Sequence, residues 1–381
     1  MKLVMDVSAG VNVPAGLGRY TRSLLTAMRP QLATPPSVFY NHIEGRSQPF
    51  AAMQDVPQYR VAWGYKPWRL ACWLGNLTNA PFNRLVPGAD VFHATEHLLM
   101  PLRGVKTILT VHDLIFHRFP EHHKRLNYLF LNRAMPLFVR RADAIIAISE
   151  ATKRDLITLY GTPEQKIHVI YEAADAHFHP AKPEQIAEVR QRYNLPERFI
   201  LTVGTIEPRK NYARLLEALI EVRNNDPALQ WVIVGGKGWL YEPFMAQLAA
   251  TGAQEWVHFP GFVPDADLPA LYSAATLYVM ASVYEGFGLP ILEGMACGAP
   301  VVSSNAASLP ELGGQAARYF NPLDVRDMHE RLAAILASPA EQATMRAQGL
   351  HQAHRFSWER TARETINLYE TVTGKNLARA R

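Results

Sequence analysis

Residues 277–304 read LYVMASVYEGFGLPILEGMACGAPVVSS. A short apolar run, LYVM, enters a glycine-bearing loop, YEGFG. A helix-forming stretch, ILEGMAC, follows, and then a second β-rich run, APVVSS. Strand, loop, helix and strand in so short a span is the signature of parallel pairing, because a crossover helix returns the chain to the same end of the sheet. Pro290 suits the first turn of the helix, where its missing N–H would be orphaned anyway, and the helix is expected to begin at or just after it. The free N–H groups of that turn point back at the loop and can hold an anion. Two carboxylates, Glu285 and Glu293, stand here among apolar and glycine residues. Glu293 falls in the first turn or so, where a carboxylate also stabilises the helix dipole by about 0.3–1 kcal/mol. That reading accounts for neither Glu285 nor Gly286 and Gly288. Glycines let backbone donors approach a phosphate closely, while acids accept hydrogen bonds from hydroxyls. An anion site flanked by acids suits a sugar nucleotide better than a bare phosphate.

The same alternation extends in both directions. KLVMDV, VKTILTVHD, ADAIIAIS and KIHVIY are short β-rich runs before residue 172, and ATKRDLITLYG is a helix with Gly161 as its stop signal. The polar stretch HFHPAKPEQIAEVRQRYNLPERF, with its three prolines, separates this series from a second one. The second comprises FILTVG, the amphipathic YARLLEALIEV, WVIVGG, WVHFPG, ATLYVMAS and APVVSS. The fold class is α/β with two doubly wound domains, whose strand ends are expected to face a shared cleft. The boundary is placed near 179–198, giving a domain over 1–178, a second over 199–355, and a terminal segment over 356–381. SWERTARETINLYETV in that segment reads as a helix and the basic GKNLARAR as a frayed tail.

A chain of 381 residues, 48% of them hydrophobic, can bury two cores. Lys and Arg number 39 against 34 Asp and Glu, and the net charge of +5 fits a phosphate-bearing ligand or an anionic surface. Cys72 and Cys297 are the only cysteines, which favours a reducing, cytoplasmic setting over a disulfide framework. MKLVMDVSAG is too short an apolar run for a signal peptide, and no stretch reaches the ~20 apolar residues that span a bilayer. A soluble protein, or one attached peripherally at the inner face of the cell membrane, is expected.

Four further stretches carry candidate chemistry. In VGTIEPRKN, residues 203–211, Arg209 and Lys210 sit near the start of a helix, where the dipole disfavours positive charge. A ligand anion, Glu207 or solvent must compensate. In AGVNVPAGLGRYTRSLL, residues 9–25, Gly16 and Gly18 lie in a loop resembling a phosphate-binding turn. It matches no dinucleotide fingerprint, and the Walker lysine is missing. In TVHDLIFHRFPEHH, His112 and Asp113 end a strand and point to a ligand, against the alternative of a buried imidazole satisfied by backbone. His117, His122 and His123 fit no structural zinc spacing and read as loop histidines. Trp68, Arg69 and Trp73, with Arg133, Arg140 and Arg141, suit either an anionic bilayer or interdomain packing. Without a recognition motif these arginines do not make a nucleic-acid binder. No aspartate pair at a strand end clamps a metal, so no metal ion is expected.

YEGFGLPILEGMACGAPVV resembles the acid–seven–acid motif of the retaining GT-B glycosyltransferases of family 4. VGTIEPRKN, GGKGW, FPGFVPDADLPALYSAA, GLGRYTRSL, VHDLIFHRFP and AIIAISEATKRDL match it as well. The resemblance covers nearly the whole chain and is closest to bacterial mannosyltransferase-like members that build cell-surface polysaccharides. It implies two Rossmann-like domains facing across a cleft, with the final helix, around Trp358, crossing back to the first. By position, Glu293 would hold the ribose hydroxyls and Glu285 the hydroxyls of the donor sugar. Phe287, Gly288 and Leu289 would offer backbone groups to the sugar and distal phosphate, and Lys210 would bind the diphosphate. Gly16 would lie under the donor phosphates. His112 would meet the sugar's primary hydroxyl or the acceptor, and the backbone at Phe262 and Val263 the base. After Gly204, Thr205 stands where family members often carry an arginine, and Arg209 is the expected substitute. VIYEAADAHFHP departs from the usual asparagine–glycine–valine–aspartate run at Ala173 and Ala174 and keeps Asp175. The implied reaction moves a hexose with retention from a nucleoside diphosphate sugar to a glycan or lipid-linked oligosaccharide, with no further cofactor. GDP-mannose is the implied donor, with GDP-rhamnose, a UDP-sugar or ADP-heptose open. A non-catalytic nucleotide-sugar binder is the competing class. A phosphorylase-like enzyme would need a pyridoxal phosphate lysine, which has no supporting context here.

Overall fold

A computed structural model describes residues 1–14, 16–122 and 125–378. The chain divides into two compact units, one formed by Met1–Glu172 with the segment from Ser357 onward, the other by Ala173–Phe356. His123 and the last three residues of the tail lie outside the described residues.

The first unit is built on seven parallel strands, β1 (Leu3–Asp6), β2 (Ser37–Asn41), β3 (Gln58–Val61), β4 (Val91–Ala94), β5 (Lys106–Val111), β6 (Ala144–Ala147) and β7 (Ile167–Val169). Their order is β3-β2-β1-β4-β5-β6-β7. β1, β4 and β6 are buried at every position, as expected of inner strands covered on both faces by crossover helices. The edge strand β3 alternates exposed and half-buried residues instead. The helix Glu150–Tyr160 shows how local sequence sets its ends. The Ser149 hydroxyl accepts from Thr152 N at 3.0 Å, and Gly161 closes the helix in the left-handed conformation.

The terminal helix Trp358–Thr373, capped by Ser357, packs on the helix Leu17–Met28 of this unit. Its Thr361 hydroxyl donates to Tyr171 O at 2.7 Å. Its Tyr369 hydroxyl meets Nδ1 of the buried His93, whose Nε2 lies 2.7 Å from Thr110 Oγ1. The tail is not frayed through Ala378: Glu370 accepts from Leu377 N, Lys375 pairs with Asp90, and Leu32 bridges Ala378.

The second unit carries six parallel strands, β8 (Phe199–Val203), β9 (Gln230–Val234), β10 (Val257–Gly261), β11 (Leu277–Met280), β12 (Val301–Ser304) and β13 (Arg318–Phe320), in the order β10-β9-β8-β11-β12-β13. Its boundary differs from the one read in sequence. The proline-bearing stretch forms a helix, Pro183–Arg192, that packs on Leu268–Ala274. Ala181 N donates to Ser273 Oγ, Arg190 to Ala274 O, and Arg192 pairs with Asp267. Polarity and prolines marked a linker, but these contacts make residues 173–198 part of the second unit.

Candidate active site

In the second unit the strand order reverses between β8 and β11, which are hydrogen-bonded neighbours. The loops that follow them, 204–211 and 281–288, leave the same end of the sheet side by side, where open parallel sheets take ligands. Val283 N donates to Arg209 O at 2.9 Å and ties the loops together. Lys210 folds back against Gly204: a Cβ there would stand 3.0 Å from Lys210 Cε and 3.2 Å from Nζ. The positive φ of Gly204 is a second reason for glycine at this position.

Glu285 is the centre of the cluster. Lys210 Nζ donates to its Oε1 at 2.8 Å, Ser282 Oγ to the same oxygen at 2.7 Å, and Arg209 pairs with Oε2. Arg209 also donates to Tyr284 O and pairs with the buried Glu207. Burial alone would raise the pKa of Glu285, but the charges of Arg209 and Lys210 and the Lys210 and Ser282 hydrogen bonds pull it down to about 2. Lys210 is 9% exposed, gives one N–H to Glu285, and its remaining donors have no partner among the described residues. Ser308 Oγ lies 2.9 Å from Glu285 O and 2.5 Å from Phe287 O and fixes the loop's path.

The helix after this loop is Leu289–Ala296, with Gly288 as its N-cap at φ +116°. A Cβ on Gly288 would stand 2.6 Å from Leu309 Cδ2. The helix begins one residue before Pro290, so Glu293 lies beyond the first turn, which holds no acid. The dipole explanation of Glu293 therefore falls. Its carboxylate is buried and accepts from Tyr272 OH at 2.9 Å.

The loops thus bring Gly204, Arg209, Lys210 and Glu285 together, with Phe287, Gly288 and Leu289 following in the chain. Thr205 is exposed beside them. Phe262 and Val263 follow β10, at the edge of the sheet; the Phe262 side chain is 86% exposed and Val263 is buried. Among the described residues no hydrogen bond joins either to the Glu285 cluster.

The remaining candidates belong to the first unit. Gly16, at φ +54°, is the N-cap of Leu17–Met28. Gly18 is not in the loop but in the helix's first turn, where a Cβ would stand 1.8 Å from Val13 O. It is there for close packing. His112 follows β5 with both ring nitrogens engaged, Nδ1 with Glu172 Oε1 at 3.2 Å and Nε2 with Thr95 O at 2.9 Å. Burial would lower its pKa, but the Glu172 hydrogen bond and charge and the Thr95 carbonyl outweigh it and the net shift is upward. His117 sits in the short helix Ile115–Arg118, not in a loop, and its Nε2 meets Tyr160 OH at 2.8 Å. Among the described residues no group of three or more His, Cys, Asp or Glu is placed to hold a metal ion.

Trp68 and Trp73 are packing residues inside this unit. Trp68 is buried and Trp73 meets Phe130 edge to face. Ser282, Ser308 and Tyr272, which organise the acids, and Glu172 and Thr95, which hold His112, gave no signal in the sequence; all but Ser282, which lies three residues from Glu285, act through a contact distant along the chain.

Residues 183–352 match the family "Glycosyl transferases group 1", and residues 14–178 match "Glycosyltransferase Family 4". The chain is 34% identical over 289 residues to O-antigen chain mannosyltransferase B of Escherichia coli, covering 74% of this chain and 75% of that protein. It is also 34% identical over 272 residues to the serotype-specific mannosyltransferase WbdA of Escherichia coli, 69% of this chain but only 33% of that protein. Among solved structures, sucrose-phosphate synthase of Thermosynechococcus elongatus superposes with a TM-score of 0.79 at 19% identity, covering 98% of this chain and 99% of that one. Anabaena HepE, in complex with UDP and glucose, does so with a TM-score of 0.74 at 20% identity, covering 97% and 100%. The fold likeness and the two family matches agree with the site's geometry: this chain belongs to the GT-B glycosyltransferases of family 4, sugar-nucleotide-dependent enzymes related to bacterial mannosyltransferases.

Proposed function

We propose that this glycosyltransferase moves mannose from GDP-mannose to a hydroxyl of a glycan or lipid-linked oligosaccharide, with retention at the anomeric carbon. The observation that carries the site assignment is Lys210, a buried ammonium with donors left over after its bond to Glu285, at the strand ends of a parallel sheet. A buried donor without a partner is expected to find one in a ligand, and a diphosphate is the anion that fits. Lys210, Arg209 and the backbone N–H groups at the start of Leu289–Ala296 would stabilise the negative charge that grows on the leaving diphosphate. Glu285 has about four lone-pair sites; Lys210, Ser282 and Arg209 take three of them. One remains for a hydroxyl of the donor sugar. Glu293 would accept from the ribose, and the backbone at Val263 would meet the base.

Glu285 is a poor nucleophile for a covalent route, since its charge is already committed to two cations and its pKa is low. The reading adopted is a same-face transfer in which the donor phosphate helps to take the acceptor's proton. Mannose as the sugar is supported by the relative at 34% identity, itself an O-antigen chain mannosyltransferase. The test is a thermal-shift panel of GDP-, UDP-, ADP- and dTDP-sugars, followed by a transfer assay with the donor that binds. Stabilisation by GDP-mannose and transfer above background hydrolysis support the reading. Stabilisation by a different base replaces the donor, and binding without transfer replaces the enzyme with a nucleotide-sugar binder.

A further inference from the structure

Three imidazoles lie within reach of one another in the first unit: His93 in β4, His97 in the loop after it, and His112 directly after β5. Their partners assign each ring a protonation state. A neutral imidazole has one N–H donor and one bare acceptor nitrogen, whereas an imidazolium has two donors. His93 faces two hydroxyls, those of Tyr369 and Thr110, which can donate or accept, so a neutral ring is satisfied. Nε2 of His97 takes the backbone N–H of His112 at 2.9 Å and must therefore be bare. Of the three, His112 alone faces two acceptors, the Glu172 carboxylate at Nδ1 and the Thr95 carbonyl at Nε2. A neutral ring could donate to only one of them and would turn a lone pair on the other. His112 is 6% and Glu172 4% exposed, so that mismatch would sit in a low dielectric, where it costs most.

The Glu172 carboxylate balances the second proton. The other titratable groups around His112 are Tyr20 of the helix Leu17–Met28, its ring centre 4.7 Å away, His93, Glu96 and His97 from β4 and its loop, and Asp113 next in the chain. Among the described residues only Glu172 and the Thr95 carbonyl meet a ring nitrogen of His112. Burial opposes a charge on His112, and the hydrogen bond and charge of Glu172 outweigh it. Burial takes His93 to about 3 and His97 to about 4, which leaves both of these rings neutral. Glu172 opens the run EAAD, which departs from asparagine–glycine–valine–aspartate, so this chain sets a carboxylate where that run has an amide. We propose that Glu172 is a positioning residue that holds His112 as a doubly protonated imidazolium, and that His112 serves an anionic substrate as a fixed positive charge and not as a proton carrier. With both N–H groups spent inside the unit, the ring has none to give to a sugar hydroxyl. The role toward substrate rests on the chain's acting on a sugar nucleotide; the protonation state does not.

The test begins without donor or acceptor, with nitrogen NMR of the histidine-labelled full chain, His112 being assigned by the signals lost in His112→Gln. His112 is expected to show two protonated ring nitrogens from about pH 5.5 to about pH 8, the span in which an ordinary histidine loses its charge. A bare ring nitrogen on His112 at neutral pH, or a midpoint at or below the ordinary 6.5, would overturn the inference whatever the donor proves to be. Glu172→Gln keeps an acceptor of the same shape and removes the charge, so its His112 should give up the second proton about tenfold more readily, a fall in midpoint of about one pH unit. The kcat/KM profile for the donor that binds should then gain a limb falling about tenfold per pH unit above the new midpoint. Glu96 titrates at about 7 in both proteins, so the limb is read as the difference from the parent. Glu172→Asp, which keeps the charge, should restore the parent profile. Equal loss of activity in both Glu172 variants with an unchanged pH profile would make Glu172 a packing residue and overturn its role, and if neither variant folds the parent's spectrum decides. A doubly protonated His112 in a protein that transfers no sugar would sink the proposed function and leave the charge assignment standing.

Discussion

At the strand-order reversal of the second unit, Glu285 is buried against Arg209 and Lys210. At the reversal of the first, between β1 and β4, Asp6 ends β1 and Glu96 follows β4, both buried. Asp6 accepts from Ser8 N at 2.8 Å, while the Glu96 carboxylate has neither a hydrogen bond nor an ion pair among the described residues. The sheets share a strand order, yet one holds its acid charged and the other pushes its acids toward the neutral form. Burial raises Asp6 to about 6 against its hydrogen bonds from Ser8, and burial with the charge of Asp6 raises Glu96 to about 7. Topology decides where a site can form in such a sheet; the cations decide whether an acid there is a fixed charge or a protonatable group.

The contrast breaks most sharply at Glu285. Glu285→Ala removes the carboxylate shared by Arg209 and Lys210 and leaves the buried Lys210 ammonium without its acid, while Arg209 keeps its pair with Glu207. Turnover is expected to fall by about 10²–10³-fold, as when a charge-organising group is lost, and folding stability by about 3–5 kcal/mol, the range for breaking a buried pair. The burial of the ion cluster is the source of the stability cost. Initial rates on refolded protein and guanidinium unfolding separate the two effects, and an unchanged rate would remove Glu285 from the mechanism.

The second test uses pH, and the two units should respond with opposite sign. Glu285 has a folded pKa near 2 against an ordinary 4.5, so its contribution is present above pH 4.5 and lost as pH falls toward 2. Glu96 is raised from 4.5 to about 7, so the folded state binds the extra proton between those values. Its contribution is complete below pH 4.5 and is lost as pH rises through 7. Asp6 follows the same course between 3.8 and about 6. A shift of this size is worth on the order of 3 kcal/mol. Glu96→Gln cannot ionise and should flatten the loss of stability between pH 5 and 8, read as about that difference from the parent in unfolding free energy. Parallel pH curves for parent and variant would show that Glu96 is solvated after all.

Much of this was legible in the chain, and what was not has physical causes. LYVMAS, APVVSS, FILTVG and VKTILTVHD announced inner parallel strands through unbroken β-rich runs, and β8, β11, β12 and β5 fall on them. SVFYN, QYRV, VFHA and RYF, which form β2, β3, β4 and β13, were passed over because such short runs carry no periodicity of their own. In the candidate site, Glu285, Arg209 and Lys210 stood out as charges at strand ends. That two loops 75 residues apart would bind them into one cluster was not readable, since strand adjacency is a tertiary fact. Nor was Gly18, where glycine serves close packing against Val13 rather than a turn.

Lys210→Ala sharpens the comparison within the second unit alone. Arg209 still neutralises Glu285, so the fold should tolerate the change, but the ammonium offered to a diphosphate is gone. Charge-assisted hydrogen bonds of this kind are worth about 1.5–3 kcal/mol, which is about a 10- to 100-fold rise in the Kd for GDP by calorimetry. Equal affinity in parent and variant would take Lys210 out of the phosphate site.

The smallest effect is expected at Tyr272, which places a third acid between the two extremes. Glu293 has a neutral hydroxyl donor where Glu285 has two cations and Glu96 has no hydrogen-bond donor among the described residues. Removing a neutral donor costs less than removing a cation, about 1 kcal/mol for one hydrogen bond, so Tyr272→Phe should lower stability by about that amount. The same bond would hold the Glu293 carboxylate in position for the ribose. GDP should then lose about 3- to 5-fold in affinity while 2′,3′-dideoxy-GDP, which offers no ribose hydroxyls, loses nothing, because a free-energy change near 1 kcal/mol corresponds to that factor. If both nucleotides weaken equally, Tyr272 supports the helix Leu289–Ala296 as a whole and not the carboxylate. If neither weakens, Glu293 is a buried acid satisfied within the fold, closer in kind to Asp6 than to Glu285.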